Sequence, residues 1–364
     1  MQEPSIPQSI EAEGSRVARS FRSSRIILPV LLGIAAVGYL FYRQFDPAQF
    51  REIRWTGSAF AWIGLSVLLL VVRHLFYAFR LRTITGKVFT WRKCIELMVL
   101  WEFSSALTPT SKGGPFVMLF VLTREKLAAG RTAAAVFYTM ALDSGFFIIT
   151  LPVLLFTYGP PMLYPGMKSF RDVGLASGTF FVTYGLMFFY FLVLVFFLLI
   201  KPAYAKNVLG WLAGRRFLKK WSNRLLVTGG EFELAAHEIR RRDWRYHLKV
   251  IIGTVGAWTS KFVMINCLII AVVPSTPVDG FTQAFLYARL VAMFTIMSFS
   301  PTPGGAGLAE MALVGFIADY VPKGIGLVVA LLWRGMAYYG YLLLGALMVP
   351  AWVAGHFKVA NRKP

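Results

Sequence analysis

Charged residues are scarce in this sequence, and apolar residues are abundant. Asp, Glu, Lys and Arg make up 15% of the 364 residues, whereas apolar residues make up 57% and the mean hydropathy is +0.61. A soluble chain of this length could not bury so much Leu, Phe, Val and Ile. The composition therefore excludes an ordinary soluble protein and predicts an all-α polytopic membrane protein.

Residues that commonly ligate metals or attack substrates are also few. The two cysteines, Cys94 and Cys267, lie in or beside apolar segments, and we assign them to packing. The four histidines are scattered, with no metal-ligand spacing to cysteines or carboxylates. The sequence "SKGGP" (111–115) lacks the Gly-Lys-Ser/Thr ending of a P-loop, and no Gly-x-Ser-x-Gly nucleophile elbow occurs. We therefore expect neither an enzyme nor a metal or other cofactor.

Acidic residues are outnumbered by basic ones, 17 to 38, and the net charge is +21. A soluble protein with this charge would be expected to bind nucleic acid. In a membrane protein the basic residues instead mark cytoplasmic loops beside anionic lipid headgroups, so no nucleic-acid partner is expected. The most basic segment is 201–249, and further clusters lie at 80–93 and in the C-terminal tail 354–364. This distribution predicts that both termini are cytoplasmic.

The basic segment 201–249 contains a stretch with helical periodicity. From Trp211 to Leu226 apolar and basic residues alternate at roughly helical spacing. The pattern favours a helix lying on the cytoplasmic leaflet, with an ordinary basic loop as the alternative.

Six apolar segments are candidates to span the membrane within a single transmembrane domain, residues 26–353. Crossing the ~30 Å hydrocarbon core takes about 20 apolar residues. The polar segment 1–25 is long for a signal-peptide n-region and no convincing cleavage site follows, so we interpret it as a mobile cytoplasmic tail before an uncleaved helix. The predicted spans begin near Ile26, Ala59, Thr132, Leu175, Val250 and Ile325.

Two further apolar regions are interrupted by residues that break helices. Between Cys94 and Thr123 the interruption is "TPTSKGGP" (108–115), and between Phe281 and Ile317 it is "SPTPGGAG" (300–307). If each of these regions enters and leaves the membrane on the same face, all basic clusters fall on one side of the membrane. We therefore predict two re-entrant hairpins, the first entering from the cytoplasm and the second from outside. Two full spans in place of each hairpin would leave the basic clusters on the same side of the membrane. The prediction is therefore six to eight membrane helices.

The two interrupted regions also suggest an internal repeat. Gly113-Gly114 aligns with Gly304-Gly305 at an offset of 191 residues, and the same offset places Asp143 on Arg334. The repeat units cover about 94–157 and 281–350. With opposite insertion they form an inverted repeat, an architecture typical of transporters whose substrate site lies near the midplane where the repeats meet.

Each interruption ends at a predicted helix start, where free N–H groups and the positive end of the helix dipole favour an anion. The alternative is that the glycines only permit tight helix crossing while the hydroxyls cap helix ends. The candidate anion-binding residues are Thr110, Lys112, Gly113, Gly114, Ser300, Thr302, Gly304 and Gly305.

Charged side chains inside membrane segments form the second set of candidates, because each costs at least ~2.5 kcal/mol at a helix centre. The cations are expected to bind a lipid phosphate, and the carboxylates a cationic group or protons. The alternative is an Asp143–Arg334 ion pair that only locks the repeats together. Arg73 and His74, near one end of their span, are expected to snorkel or contact headgroups. The candidates are Glu102, Asp143, Lys261, Arg289, Glu310 and Arg334.

The sequences "SPTPGGAGLAE" (300–310) and "LLWRGMAYYGYLLLG" (331–345) resemble the membrane domain of lysylphosphatidylglycerol synthases and its stand-alone flippase-like relatives. The matching residues are Pro303, Gly304, Gly305, Gly307, Glu310, Arg334, Tyr338 or Tyr339, and Gly345. "LTPTSKGG" (107–114) in the first half is also similar, but "YTMALD" (138–143) lacks the arginine of many relatives. The resemblance implies movement of aminoacylated or otherwise modified phospholipids between leaflets, without the synthase domain.

These observations lead to a lipid flippase or transporter of lipid-linked intermediates in the cell membrane, with the headgroup held between the two hairpins. The expected partner is a phospholipid with an anionic or aminoacylated headgroup. Two alternatives remain: a membrane enzyme such as a lipid-carrier glycosyltransferase, for which no soluble donor-binding domain is seen, or a non-catalytic scaffold that contacts envelope enzymes.

Overall fold

A computed structural model describes residues 53, 55–108, 113–169, 175–215, 219, 221–298, 300, 302 and 304–357. The predicted first span from Ile26, the tail 1–25 and residues 358–364 of the predicted C-terminal tail lie outside the described residues. So do Thr110 and Lys112 of the predicted site.

The described residues form helices and no strands, as the all-α prediction requires. In chain order the helices are α1 (Gly57–Ile84), α2 (Trp91–Leu107), α3 (Gly113–Arg124), α4 (Ala129–Tyr158), α5 (Leu175–Val195), α6 (Pro202–Ala213), α7 (Ser222–Arg240), α8 (Trp244–Val272), α9 (Gly280–Met297), α10 (Leu308–Phe316), α11 (Lys323–Arg334) and α12 (Gly340–Phe357). A short 3₁₀ turn, Pro160–Met162, follows α4, and π-helical segments follow α5 (Phe196–Ile200) and α11 (Gly335–Tyr339).

Six helical segments among the described residues are long and apolar enough to cross a bilayer, and the protein is a multi-pass membrane protein. Five correspond to predicted spans, and the sixth is α9. The segments are Gly57–Ile84, Ala129–Tyr158, Gly178–Ile200, Trp244–Val272, Gly280–Met297 and Gly324–Val353.

Several helix starts follow from local capping by the sequence. Thr56 and Thr90 accept hydrogen bonds at 3.3 Å from the N–H groups of Ala59 and Lys93, at the beginnings of α1 and α2. Asp279 caps α9 by accepting from the N–H of Thr282 at 2.9 Å. Each cap satisfies a backbone donor that the first helical turn leaves without a partner.

The two interrupted regions each form a pair of helices of unequal length. At 1.5 Å per residue, α2 is about 26 Å long and α3 about 18 Å, whereas α9 is about 27 Å and α10 about 14 Å. Two short pieces were expected in the second pair, yet α9 is long enough to cross a bilayer. Re-entrance of either pair stays a prediction.

The two largest apolar cores each contain one of the helix pairs. One core joins α9, α10 and α11 to α8 and α4, and a second joins α2 and α3 to α1 and the end of α12. Helices α1 and α8 make the most extensive helix contact. Their backbones approach closely because a side chain at Gly256 would collide with the ring of Phe76.

The basic segment forms an antiparallel helical hairpin, so a single helix from Trp211 to Leu226 is wrong. Helix α6 ends at Ala213, and α7 begins at Ser222 and packs back along α6. Gly229 allows this close approach, because a Cβ there would lie 3.3 Å from the Cα of Lys206. The hairpin packs on α4, where the N–H of Gly130 donates to Glu231 at 2.8 Å. Its position on the leaflet stays a prediction.

Candidate functional site

A cavity of about 250 Å³ lies inside the helical bundle. It is lined by residues of α1 to α5, α8 to α11 and the π-helical segment that follows α11. Most of its wall is apolar, with Met, Phe and Trp side chains, but six charged side chains also reach it. They are Arg73, Arg80, Glu102, Asp143, Lys261 and Arg334.

Four of these six residues, Glu102, Asp143, Lys261 and Arg334, belong to the predicted site. The other two, Arg73 and Arg80, lie on α1, and the predictions made for them were wrong. Arg73 is 3% exposed and does not snorkel, and Arg80, also 3% exposed, does not belong to a basic loop. A signal for them was present in the sequence, because Arg73, Tyr77 and Arg80 are spaced i, i+4, i+7 and so share one face of a helix.

The carboxylate of Asp143 is bound by α1 and α8. Arg80 donates to both of its oxygens, with Nη2 at 3.2 Å from Oδ2, and Trp258 Nε1 donates to Oδ1 at 3.0 Å. The alternative in which Asp143 pairs with Arg334 is therefore wrong. The pairing partner lies on α1 because that helix brings its arginine face against α4.

The carboxylate of Glu102 is bound by the other arginine of α1. Arg73 Nη2 donates to Glu102 Oε1 at 2.8 Å. The ring nitrogens of the neighbouring His74 lie 3.0 Å from the Tyr341 hydroxyl and 3.1 Å from the carbonyl of Ile95, so both contact groups within the protein. A contact of His74 with headgroups stays a prediction.

Arg334 lies at the interruption of the second helix pair. Its Nη1 donates to the carbonyl of Gly304 at 2.9 Å, and its Nε lies 2.9 Å from an oxygen of Glu310, whose side chain is fully buried. The guanidinium carbon is 3.7 Å from the ring centre of Tyr338. A π-helical segment begins immediately after Arg334, and such segments are frequent at functional sites.

The two interruptions contact each other beside the cavity. The N–H of Gly304 donates to the carbonyl of Thr108 at 3.4 Å, and the Tyr338 hydroxyl donates to the carbonyl of Ala106 at 3.3 Å. Gly304 and Gly305 have φ values of +54° and +71°, which L side chains rarely adopt. A Cβ at Gly304 would also collide with the Tyr338 ring.

The predicted glycines of the first interruption allow close packing of its two helices. A Cβ at Gly113 would collide with Thr108, and one at Gly114 with Ser105, so these glycines allow α2 and α3 to approach. The hydroxyls of Ser300 and Thr302 lie 3.1 Å apart and bond to each other. Among the predicted glycines, Gly304 reaches the cavity wall.

Arg289 is outside the cavity wall. It is 2% exposed and donates to the carbonyl of Pro161 at 3.2 and 3.1 Å, to the carbonyl of Phe316 at 3.1 Å, and to Asp319. These bonds connect α9 to the turn after α4 and to the segment after α10.

Several donors around the cavity remain without a hydrogen-bond partner among the described residues. They include Nε and Nη1 of Arg73, Nη2 of Arg334 and Nε1 of Trp333, all buried. Lys261 makes no hydrogen bond or ion pair to any described residue, and its Nζ lies over the rings of Trp258 and Phe294. Lys261 lines the same cavity as Arg73, Glu102, Asp143 and Arg334. The arrangement can therefore bind an anion, since buried donors without acceptors are costly unless a ligand supplies one.

Two comparisons with known proteins match this chain over most of its length. A family model described as the lysylphosphatidylglycerol synthase TM region matches residues 26–345. A UPF0104 membrane protein of Archaeoglobus fulgidus is 25% identical over 337 residues, covering 89% of this chain and 95% of that protein. No solved structure matches.

Proposed function

This chain belongs to the lysylphosphatidylglycerol synthase TM-region family, and from that premise we propose that it moves a phospholipid or lipid-linked intermediate between membrane leaflets. The observation that carries the proposal is the charged cavity inside the bundle, beside the contact between two helix interruptions. The membrane is the cytoplasmic membrane, with both termini in the cytoplasm, in keeping with the basic segments.

The cavity has a size and a wall suited to a headgroup. At about 250 Å³ it lies just below the roughly 300–1,000 Å³ of typical small-molecule pockets. That space suits a phosphate and a few attached atoms, while acyl chains stay in the surrounding bilayer. The mostly apolar wall with a few polar groups matches the chemistry of a lipid at the junction of its headgroup and chains.

Charges at this depth support a transport role because they are expensive. On insertion scales each costs about 2.5–3.5 kcal/mol at a helix centre, and such residues usually face a bundle interior or a substrate path. Six charged side chains from five helices converge on this cavity. Ion pairing offsets part of the cost, yet Lys261 has no such pair among the described residues.

The two helix interruptions also support transport. Irregular backbone at membrane depth is tolerated only against protein or a cavity. Each helix pair is followed by a long helical segment with one charge on the cavity, Asp143 in Ala129–Tyr158 and Arg334 in Gly324–Val353. This parallel agrees with an inverted repeat that rocks around a central headgroup.

The test is exchange of labelled phospholipids between leaflets of liposomes, with and without a proton gradient. The cavity variant is the double substitution Arg334→Gln with Glu310→Gln. Because both partners are replaced, no unpaired charge is left buried in the interior. Its matched control is Arg131→Gln with Glu238→Gln, which removes an exposed ion pair of 2.7 Å on α4 and α7. We expect exchange by the natural protein, a loss of about tenfold or more in the cavity variant, and no change in the control.

Two results would contradict the proposal. One is exchange by the folded natural protein no faster than in empty liposomes, which would favour an enzyme or scaffold acting on a carrier lipid. The other is equal exchange by the cavity variant and the natural protein, which would remove the headgroup from this cavity.

A further inference from the structure

The cavity has an excess of positive charge. Four cations reach its wall, Arg73, Arg80, Lys261 and Arg334, against the two carboxylates of Glu102 and Asp143. Even when the buried Glu310 beside Arg334 is counted, the formal charges leave one positive charge without a counter-charge among these residues. A ligand that enters with a negative charge would balance it.

The two carboxylates on the cavity wall are already occupied by the chain's own cations. Glu102 accepts from Arg73, and Asp143 accepts from Arg80 at both oxygens and from Trp258. Glu310 lies 2.9 Å from Arg334 Nε; its oxygens accept no hydrogen bond from the described residues, but its side chain is fully buried and is not part of the cavity wall. An ammonium group on a headgroup would have to displace an arginine to reach an acidic partner, and it would do so among like charges.

Aromatic faces are the other usual binding place for an ammonium group, and the chain's own cations lie over five of the eight aromatic rings on the cavity wall. Arg73 and Arg80 lie 5.0 and 4.9 Å from the ring centre of Tyr77. Lys261 lies 4.7 Å from the ring of Trp258 and 4.1 Å from that of Phe294. The ring of Tyr338 is covered by Arg334 at 3.7 Å, and that of Trp333 by the same guanidinium at 5.9 Å.

What the cavity does offer is hydrogen-bond donors. Nε and Nη1 of Arg73 and Nη2 of Arg334 are buried and have no acceptor among the described residues, and the Lys261 ammonium has none either. Guanidinium and ammonium donors bind phosphate oxygens through short, charge-assisted hydrogen bonds. These donors come from three helices, α1, α8 and α11, around one cavity.

We propose that the site selects phospholipids whose headgroup is net anionic and discriminates against headgroups that carry an added amino group. Arg73, Lys261 and Arg334 bind the phosphate oxygens, whereas the two carboxylates on the cavity wall and five of its aromatic rings already contact the chain's own cations. This substrate class rests on the proposed function in one respect, that the bound anion is a lipid.

The experiment measures binding to the full-length protein in detergent, by thermal stabilisation and native mass spectrometry, independently of transport. The probes are short-chain phosphatidylglycerol, its lysyl ester, and two soluble anions, inorganic phosphate and glycerol phosphate. We expect phosphatidylglycerol to bind about tenfold or more tightly than the lysyl ester, with the soluble anions weaker still because they lack acyl chains.

A pair of lysine variants on one helix sharpens the test. Lys261→Gln removes the cavity charge, and because that lysine has no ion pair among the described residues, its loss strands no buried partner. Lys249→Gln removes an exposed charge of the same helix and is the control. We expect Lys261→Gln to weaken phosphatidylglycerol binding about tenfold while leaving the lysyl ester nearly unaffected, and Lys249→Gln to change neither.

Three outcomes would overturn the proposal: equal or tighter binding of the lysyl ester, unchanged selectivity in Lys261→Gln, or binding of inorganic phosphate as tight as that of the lipid. Failures of this inference and of transport are distinguishable. Selective binding without leaflet exchange refutes transport alone, whereas equal exchange of both lipids, with equal binding, refutes the selectivity alone.

Discussion

Arg289 and Arg334 are two buried arginines in the second half of the chain, and they differ in how their donors are used. Each nitrogen of the Arg289 guanidinium donates to a protein acceptor, at Pro161, Phe316 or Asp319. Arg334 donates from Nη1 to Gly304 and contacts Glu310 through Nε, while its Nη2 has no acceptor among the described residues. The exposed fractions, 2% and 5%, do not separate the two residues.

The difference shows that a structural arginine is distinguished from a binding one by whether its donors have acceptors within the protein, more than by its burial. Arg289 closes a junction between three segments, and its acceptors are mostly backbone carbonyls. Arg334 stands where two helix interruptions leave a cavity, so part of its guanidinium faces space instead of protein. A buried donor without a hydrogen-bond acceptor destabilises the folded protein, and a bound anion would supply that acceptor.

The largest expected effect comes from Arg289→Met. The carbonyls of Pro161 and Phe316 would lose a charged donor, and such hydrogen bonds contribute about 1.5–3 kcal/mol each. We expect a loss of about 3 kcal/mol or more in stability, seen as a lower unfolding temperature and less monodisperse protein in detergent. The double variant Arg334→Gln with Glu310→Gln is the comparison and should lose less stability, because Arg334 donates to one carbonyl, that of Gly304, whereas Arg289 makes three bonds to carbonyls. A reversed order of the two unfolding temperatures would break the distinction between the two arginines.

A smaller effect is expected from Tyr338→Phe. This change removes the hydroxyl that donates from the π-helical segment after α11 to the carbonyl of Ala106 near the end of α2, while the ring under Arg334 remains. A single hydrogen bond contributes about 0.5–1.5 kcal/mol, so we expect a loss near 1 kcal/mol in stability and slower leaflet exchange with unchanged lipid binding. Weakened lipid binding would instead place the hydroxyl in the binding site.

The smallest effect is expected at the beginning of α9, the helix that carries Arg289. The N–H and hydroxyl of Thr282 hold the pKa of the Asp279 carboxyl below its ordinary value. Because the folded-state pKa is lowered, the cap stabilises the protein above the ordinary carboxyl pKa, and this contribution is lost as pH falls through the folded-state value.

Asp279→Ala should therefore unfold at a slightly lower temperature than the natural protein at neutral pH, and the difference should shrink toward acid pH. Asp279→Asn keeps a capping oxygen without a titrating group and is the control. A difference that persists unchanged in acid would show that the carboxylate charge does not contribute to the cap.

Individual residues show how far sequence reasoning reached into the site. Glu102, Asp143, Lys261 and Arg334 were predicted because a charge inside an apolar run stands out, and all four reach the cavity. Arg73 and Arg80 were missed because they lie toward the end of their apolar run, where a charged side chain can ordinarily reach water. Their shared helix face was readable in the sequence, but its burial depends on α8 and α4 packing against it.

The ion pairs could not be predicted from the spacing of residues in the sequence. The offset of 191 residues relates Asp143 to Arg334, yet Asp143 binds Arg80 and Arg334 contacts Glu310. A repeat relates positions to each other, whereas an ion pair requires side chains to meet, and the packing of the helices decides that. Arg289 was expected in the site for the same reason as Arg334, and its acceptors in two distant loops could not be read from its own helix.

The sequence alone determined the membrane class, most of the helical spans, the two interruptions and the family, because hydropathy, Gly and Pro act locally and short motifs are read without coordinates. The tertiary structure decided which charges meet, which glycines allow close contact and which donors remain without acceptors. These properties depend on the relative positions of helices far apart in the chain, and several arrangements of the same apolar helices would satisfy the hydropathy pattern equally well.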